Sequence, residues 1–108
     1  MTTTLIPPAP RGDARDAELR RAAAIGRALA DPKRLCVIEE LAAGERSVGE
    51  LSRGASCQIP NMSQHLAVLR AAGLVASRRE GSTVFYRLAD DRVLEAYRRI
   101  RALAGGAG

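Results

Sequence analysis

The stretch SVGELSRGASCQIPNMSQHLAVLRAAG, residues 47–73, decides the fold. Ser47-Val48-Gly49-Glu50 is a capping box. In such a box the serine oxygen accepts from the backbone three residues on, and the glutamate reaches back to the serine amide. It predicts a short helix through about Arg53, ended by Gly54. Residues 55–58 are a tight connection. A longer helix follows from about Ile59 to Ala72, with Gly73 as its stop. Pro60 sits in its first turn, where a missing N–H costs nothing. Ile59, Met62, Leu66 and Leu69 form its inner stripe. A short helix, a tight turn and a longer helix make a helix-turn-helix.

Downstream, Leu74–Arg79 and Thr83–Leu88 read as two strands, with Glu80-Gly81-Ser82 as their turn. A basic hairpin directly after a helix-turn-helix is a wing. Asp90 or Asp91 then caps a last helix, where Val93, Tyr97, Ile100 and Ala104 share one face. Upstream, Asp31-Pro32 starts a helix with Leu35, Ile38 and Leu41 on its core side and Gly44 as its end. A first helix runs from Asp16 to near Ala30, with Leu19, Ala22, Ala23, Ile25 and Leu29 on one stripe. Residues 1–15 are expected to be a disordered arm, 16–104 the folded domain and 105–108 a frayed tail. The fold class is mainly α with a β-hairpin wing, in the order α-α-α-α-β-β-α.

Composition bounds the function. A chain of 108 residues holds one domain of ordinary size. Its 46% apolar and 27% charged content is that of a folded chain. Of 17 basic residues only Lys33 is lysine, and the net charge is +5. Arginine's planar fork suits phosphates and base edges, although a general preference for arginine over lysine would give the same count. Two cysteines are too few for a disulfide framework, no stretch reads as a secretory signal, and no apolar run nears the ~20 residues of a membrane span. A cytoplasmic protein with no membrane partner is expected. One histidine and no phosphate-cradling glycine loop leave an enzyme short of parts.

The helix from Ile59 turns Pro60, Asn61, Ser63, Gln64, Ala67 and Val68 away from its inner stripe. Asparagine and glutamine can each bond adenine twice in the major groove, and serine serves several bases. Small neighbours allow close approach. Arg70, one turn on, is placed for a phosphate, and Arg78 and Arg79 flank the wing tip. A solvated polar face is the ordinary reading of such a helix; its place in a helix-turn-helix favours DNA. For the wing, a soluble turn with charged flanks is the alternative.

The series ALADPKRL (28–35), GERSVGEL (44–51), NMSQHLAVLRAAGLV (61–75) and RREGSTVFYRL (78–88) resembles the ArsR/SmtB family of bacterial repressors. The resemblance spans residues 18–103. It implies a homodimer built on the first and last helices, binding to an imperfect inverted repeat in double-stranded DNA, and release by an inducer. It also implies that Pro60, Asn61, Ser63 and Gln64 meet base edges and phosphates. Pairing across a twofold axis is expected to bury Leu19, Val93, Tyr97 and Ile100, because so small a core cannot cover two terminal helices.

The family's known inducer sites do not carry over. Where one type has Glu-Leu-Cys-Val-Cys-Asp-Leu, this chain has no thiol in Arg46–Leu51, and its last helix has neither histidine nor cysteine. Cys36 and Cys57 remain as a candidate sensor pair for a soft metal, a metalloid or an oxidant, with no cofactor required. Cys57 also reads as a small buried hydrophobe, and His65 as a hydrogen-bonded core residue or a contact to the DNA backbone rather than a metal ligand. Two other functions stay open: a general nucleic-acid-binding protein without base readout, and an ArsR-like regulator with no metal or thiol sensing.

Overall fold

The computed structural model describes residues 9–106, with side chains from residue 12 onward. Five helices and three strands follow in order: α1 (Ala9–Ala28), α2 (Pro32–Leu41), β1 (Arg46–Ser47), α3 (Val48–Gly54), α4 (Ile59–Ala71), β2 (Val75–Glu80), β3 (Thr83–Leu88) and α5 (Asp91–Leu103). The winged helix-turn-helix expected from the sequence is present.

Three features differ from that reading. The first helix starts at Ala9, not Asp16, so residues 9–15 belong to α1 rather than to a disordered arm. Pro10 falls in its first turn, where proline is tolerated. The rest of the expected arm, residues 1–8, and the last two tail residues lie outside the described residues. The second difference is β1, a two-residue strand that periodicity cannot reveal. It pairs antiparallel with β3, Arg46 opposite Tyr86 and Ser47 opposite Phe85, giving the sheet order β1-β3-β2. The hairpin turn is tighter than expected, because β2 reaches Glu80 and only two residues connect the strands. Gly81 takes φ +64 at the first of them, as a type II′ turn demands.

The core gathers Val37, Ile38 and Leu41 of α2, Leu51 of α3, Met62, Leu66 and Leu69 of α4, Val75 of β2, and Val93 and Tyr97 of α5. Among its described side chains, helix α1 contributes only its end, Ala28, with Leu29 just beyond it. From residue 12 to 27 it is exposed throughout, apart from half-buried Ala24.

The caps act as the sequence suggests. Ser47 and Glu50 complete the capping box in both directions. Asp31 is extended at the start of α2, and its carboxylate accepts from the amides of Lys33 at 2.8 Å and Arg34 at 3.2 Å. Burial raises the Asp31 pKa, but those two amides, with the charges of His65 and Arg34, hold it below the ordinary value. Its stabilising effect is therefore complete above the usual aspartate range and fades as pH falls through the lowered value. Asp31→Ala should cost about 1 kcal/mol in thermal melts at neutral pH. The gap between variant and parent should narrow in acid, and a gap independent of pH would contradict the cap.

Candidate nucleic-acid interface

Helix α4 is sharply two-sided. Met62, Leu66 and Leu69 are 0% exposed, whereas Pro60, Asn61, Ser63, Gln64, Ala67, Val68 and Arg70 all face solvent. One expectation fails: Ile59 is not on the inner stripe but 55% exposed. As the first residue of α4 it stands beyond the end of the core contact. It lines a groove toward the wing with Ser63 and Val84.

Two side chains from α2 fasten this helix. The ammonium of Lys33 donates to the carbonyls of Ala55 and Ser56. It thus pins the turn between α3 and α4, where Ser56 adopts a left-handed φ of +51. Such a backbone costs a non-glycine residue about 1 kcal/mol or more. The guanidinium of Arg34 donates to the Ala28 carbonyl at 2.6 Å and the Arg27 carbonyl at 3.1 Å, closing the end of α1. It also lies 3.3 Å from Nδ1 of His65 on α4. His65 is thus a half-buried hydrogen-bonding residue, 4.0 Å from Asp31 as well. Sequence reading passed over Lys33 and Arg34 as site residues. Their partners lie 22 and 31 positions away, a separation that leaves no local pattern.

A polar groove of about 500 Å³ opens at the start of α4, lined by Lys33, Cys57, Asn61, Gln64 and His65 among others. Cys36 opens elsewhere, onto a groove between α2 and α5 with Glu39, Tyr97 and Arg101. Its sulfur is 4.0 Å from the Gly54 carbonyl, and Cys57 follows three residues after that glycine. Both thiols therefore flank the end of α3 but face different grooves. Burial, then Glu40 and Glu39, push the Cys36 thiol pKa up, against a weaker pull from Lys33. Among the described residues no group of three or more His, Cys, Asp or Glu could hold a metal ion.

On the wing the two arginines differ. Arg78 Nε and Nη2 donate to both oxygens of Glu45 at 2.8 and 2.7 Å. Arg79 is exposed and has no ion pair among the described residues. The four residues expected at a partner surface also divide. Val93 and Tyr97 are 8% and 5% exposed, covered by the chain's own core. Tyr97 donates from its hydroxyl to Glu39 at 2.6 Å, tying α5 to α2. A stripe at helical spacing cannot tell which neighbour covers it, and here the neighbour is α2. Leu19 and Ile100 do face solvent, as do Ile25 and Leu103.

An exposed polar helix face, held by α2 and flanked by a three-stranded wing, defines the class as a winged helix-turn-helix. A family model described as a helix-turn-helix domain matches residues 29–78. The nodulation protein NolR of Rhizobium meliloti is 39% identical over 88 residues, 82% of this chain and 70% of NolR. The biofilm growth-associated repressor of Agrobacterium fabrum is 51% identical over 71 residues, 63% of this chain and 61% of its own length. A solution structure of a homodimeric winged helix-turn-helix DNA-binding domain from Mycobacterium bovis superposes with a TM-score of 0.81. That fragment, described as from a possible ArsR-family regulator, is 33% identical over 90% of each chain.

The chain belongs to the ArsR/SmtB family of winged helix-turn-helix transcriptional regulators, and not to an enzyme family. It spans 61, 52 and 42% of the first three curated relatives it matches. No described helix is long and apolar enough to cross a membrane.

Proposed function

We propose that this chain is a cytoplasmic transcriptional repressor that binds an inverted-repeat operator as a homodimer and leaves it when an inducer arrives. The observation that carries this reading is the division of α4: a fully buried apolar stripe behind an exposed face of uncharged hydrogen-bonding residues. Asn61, Ser63 and Gln64 read base edges, while Pro60 lets the helix start approach the backbone. Arg70 and Arg79 hold phosphates, which position the helix without reading sequence.

The dimer reading rests on the helices that the core leaves bare. Most of a helix's stability in a protein comes from packing one face against a neighbour, and α1 is exposed from residue 12 to 27 apart from half-buried Ala24. A second copy would cover Leu19 and Ile25 of α1 together with Ile100 and Leu103 of α5, all exposed in the single chain. Twofold pairing sets two recognition helices about one DNA turn apart and doubles the +5 charge. That the Mycobacterium bovis fragment is homodimeric and the Agrobacterium relative a repressor supports both parts.

In the same reading the inducer is a soft metal, a trivalent arsenical or a thiol oxidant acting at Cys36 and Cys57. Both flank the end of α3, so a change at either thiol bears directly on the turn that sets α4. If the Cys36→Ser, Cys57→Ser double variant still releases DNA on adding arsenite, cadmium or peroxide, sensing by these thiols is overturned.

The whole reading is tested by footprinting and anisotropy titration on the DNA upstream of the chain's own gene. Protection of one inverted repeat, with affinity falling steeply as salt rises, is the expected result. Uniform coating of any duplex would favour the non-specific alternative.

A further inference from the structure

The wing carries two adjacent arginines whose surroundings are opposite. Side chains alternate across a strand, and the pairing of β2 with β3 shows which face each takes. Ser77 lies opposite Tyr86 and Arg79 opposite Val84; Arg78 lies opposite Phe85. Tyr86 lines a groove with Ser63, Ala67 and Arg70 of α4, and Val84 lines one with Ile59 and Ser63. Arg79 therefore shares the face turned toward the recognition helix, and Arg78 the face turned away.

Arg78 is also paired, with 44% of its side chain still exposed. Its guanidinium makes a two-pronged bond with Glu45, lies 3.6 Å from Glu80, and sits 4.8 Å over the Phe85 ring. With Arg87 also acting on Glu45, two carboxylates and two guanidiniums balance there, so the spot offers phosphate no net positive charge. Glu45 stands just before β1, in the segment that links α2 to the sheet. The side-chain bond to Arg78, helped by the charges of Arg78 and Arg87, holds the Glu45 carboxyl below the usual glutamate range against the opposing effect of desolvation. The bond therefore stays intact at neutral pH and would be lost only as Glu45 is protonated in acid.

We propose that Arg78 is a positioning residue and not a DNA ligand: with Glu45 it clamps the wing at a set angle to α4, and Arg79 is the wing's phosphate contact. This deepens the repressor reading and rests on it. The clamp joins the outer face of the hairpin to the segment that follows α2, the helix whose first turn holds α4 and its turn through Lys33 and Arg34. The wing tip and the recognition helix are thereby held as one rigid pair of DNA-facing elements.

The charge balance makes the test sharp. Removing an acidic side chain near DNA ordinarily tightens binding, because the protein becomes more positive. Glu45→Gln adds one positive charge per chain to the +5, yet a clamp predicts weaker binding. The measurement is anisotropy with a labelled duplex from upstream of the chain's own gene, over a series of salt concentrations, with melting curves for every variant. Arg79→Ala should lower the slope of log affinity against log salt by about 1 per contact. Arg78→Ala should weaken binding severalfold with the slope unchanged. In the Glu45→Gln background, Arg78→Ala should add nothing further, the signature of two residues acting as one unit.

A slope loss for Arg78→Ala equal to that for Arg79→Ala overturns the proposal, and so does tighter binding by Glu45→Gln. If the unaltered chain fails to protect any inverted repeat, the repressor reading itself falls, which is a separate outcome read from the parent protein alone.

Discussion

The double substitution Asn61→Ala, Gln64→Ala should abolish operator recognition and leave the fold untouched. Both side chains are exposed on α4 and neither makes a hydrogen bond with a described residue that the fold needs. Alanine is the better helix former, so the melting temperature should hold or rise. Each two-pronged base contact is worth about 1–3 kcal/mol of discrimination. Losing two per protomer should reduce specific affinity by at least about a hundredfold. Binding to random DNA should persist, because Arg70 and Arg79 remain to hold phosphate. Competition titration with operator and random duplexes measures both quantities. A variant that keeps its preference for the operator would move base readout away from α4.

Leu66→Ala should have the largest effect on stability. Leu66 is 0% exposed and stands between Met62 and Leu69 on the buried stripe. Truncating a fully buried leucine removes its transfer energy and leaves a cavity, at a cost of about 2–5 kcal/mol. Against the 5–15 kcal/mol total typical of a domain, that should lower the melting midpoint by roughly 10 °C or more. The expected pattern is a damaged melt with a normal operator preference below it, the reverse of the Asn61, Gln64 result. A loss under about 1 kcal/mol would mean that the stripe is not packed as described.

The two outcomes separate because α4 splits its work between faces, and that split was legible in the sequence. Met62, Leu66 and Leu69 recur at helical spacing, and the polar residues fall between them. Caps were legible for the same local reason: Ser47 with Glu50, and Asp31 before Pro32, bond partners within three residues. The hairpin was legible from alternation around Gly81. What failed were inferences about which neighbour covers a face. Val93 and Tyr97 were expected to meet a second copy and instead pack within the chain. Ile59 shares the spacing of the stripe but lies past the edge of the core. The start of α1 was missed because proline and glycine near Ala9 signal a coil, although Pro10 sits where a helix accepts it.

The sequence by itself determined the order of the helices and of the hairpin, the caps, and the helix-turn-helix with the polar face of α4. All of these depend on residues within a few positions of one another, where helix and strand periods act. The tertiary structure decided the roles of Lys33, Arg34, Glu45, Arg78 and Tyr97. Each is set by a partner between 22 and 58 positions away. Two neighbouring arginines of the wing read alike in the sequence, and only the pairing of the strands and the place of Glu45 tell them apart. A side chain's charge is local information. Whether that charge is free to meet a phosphate or already neutralised depends on what folding brings beside it.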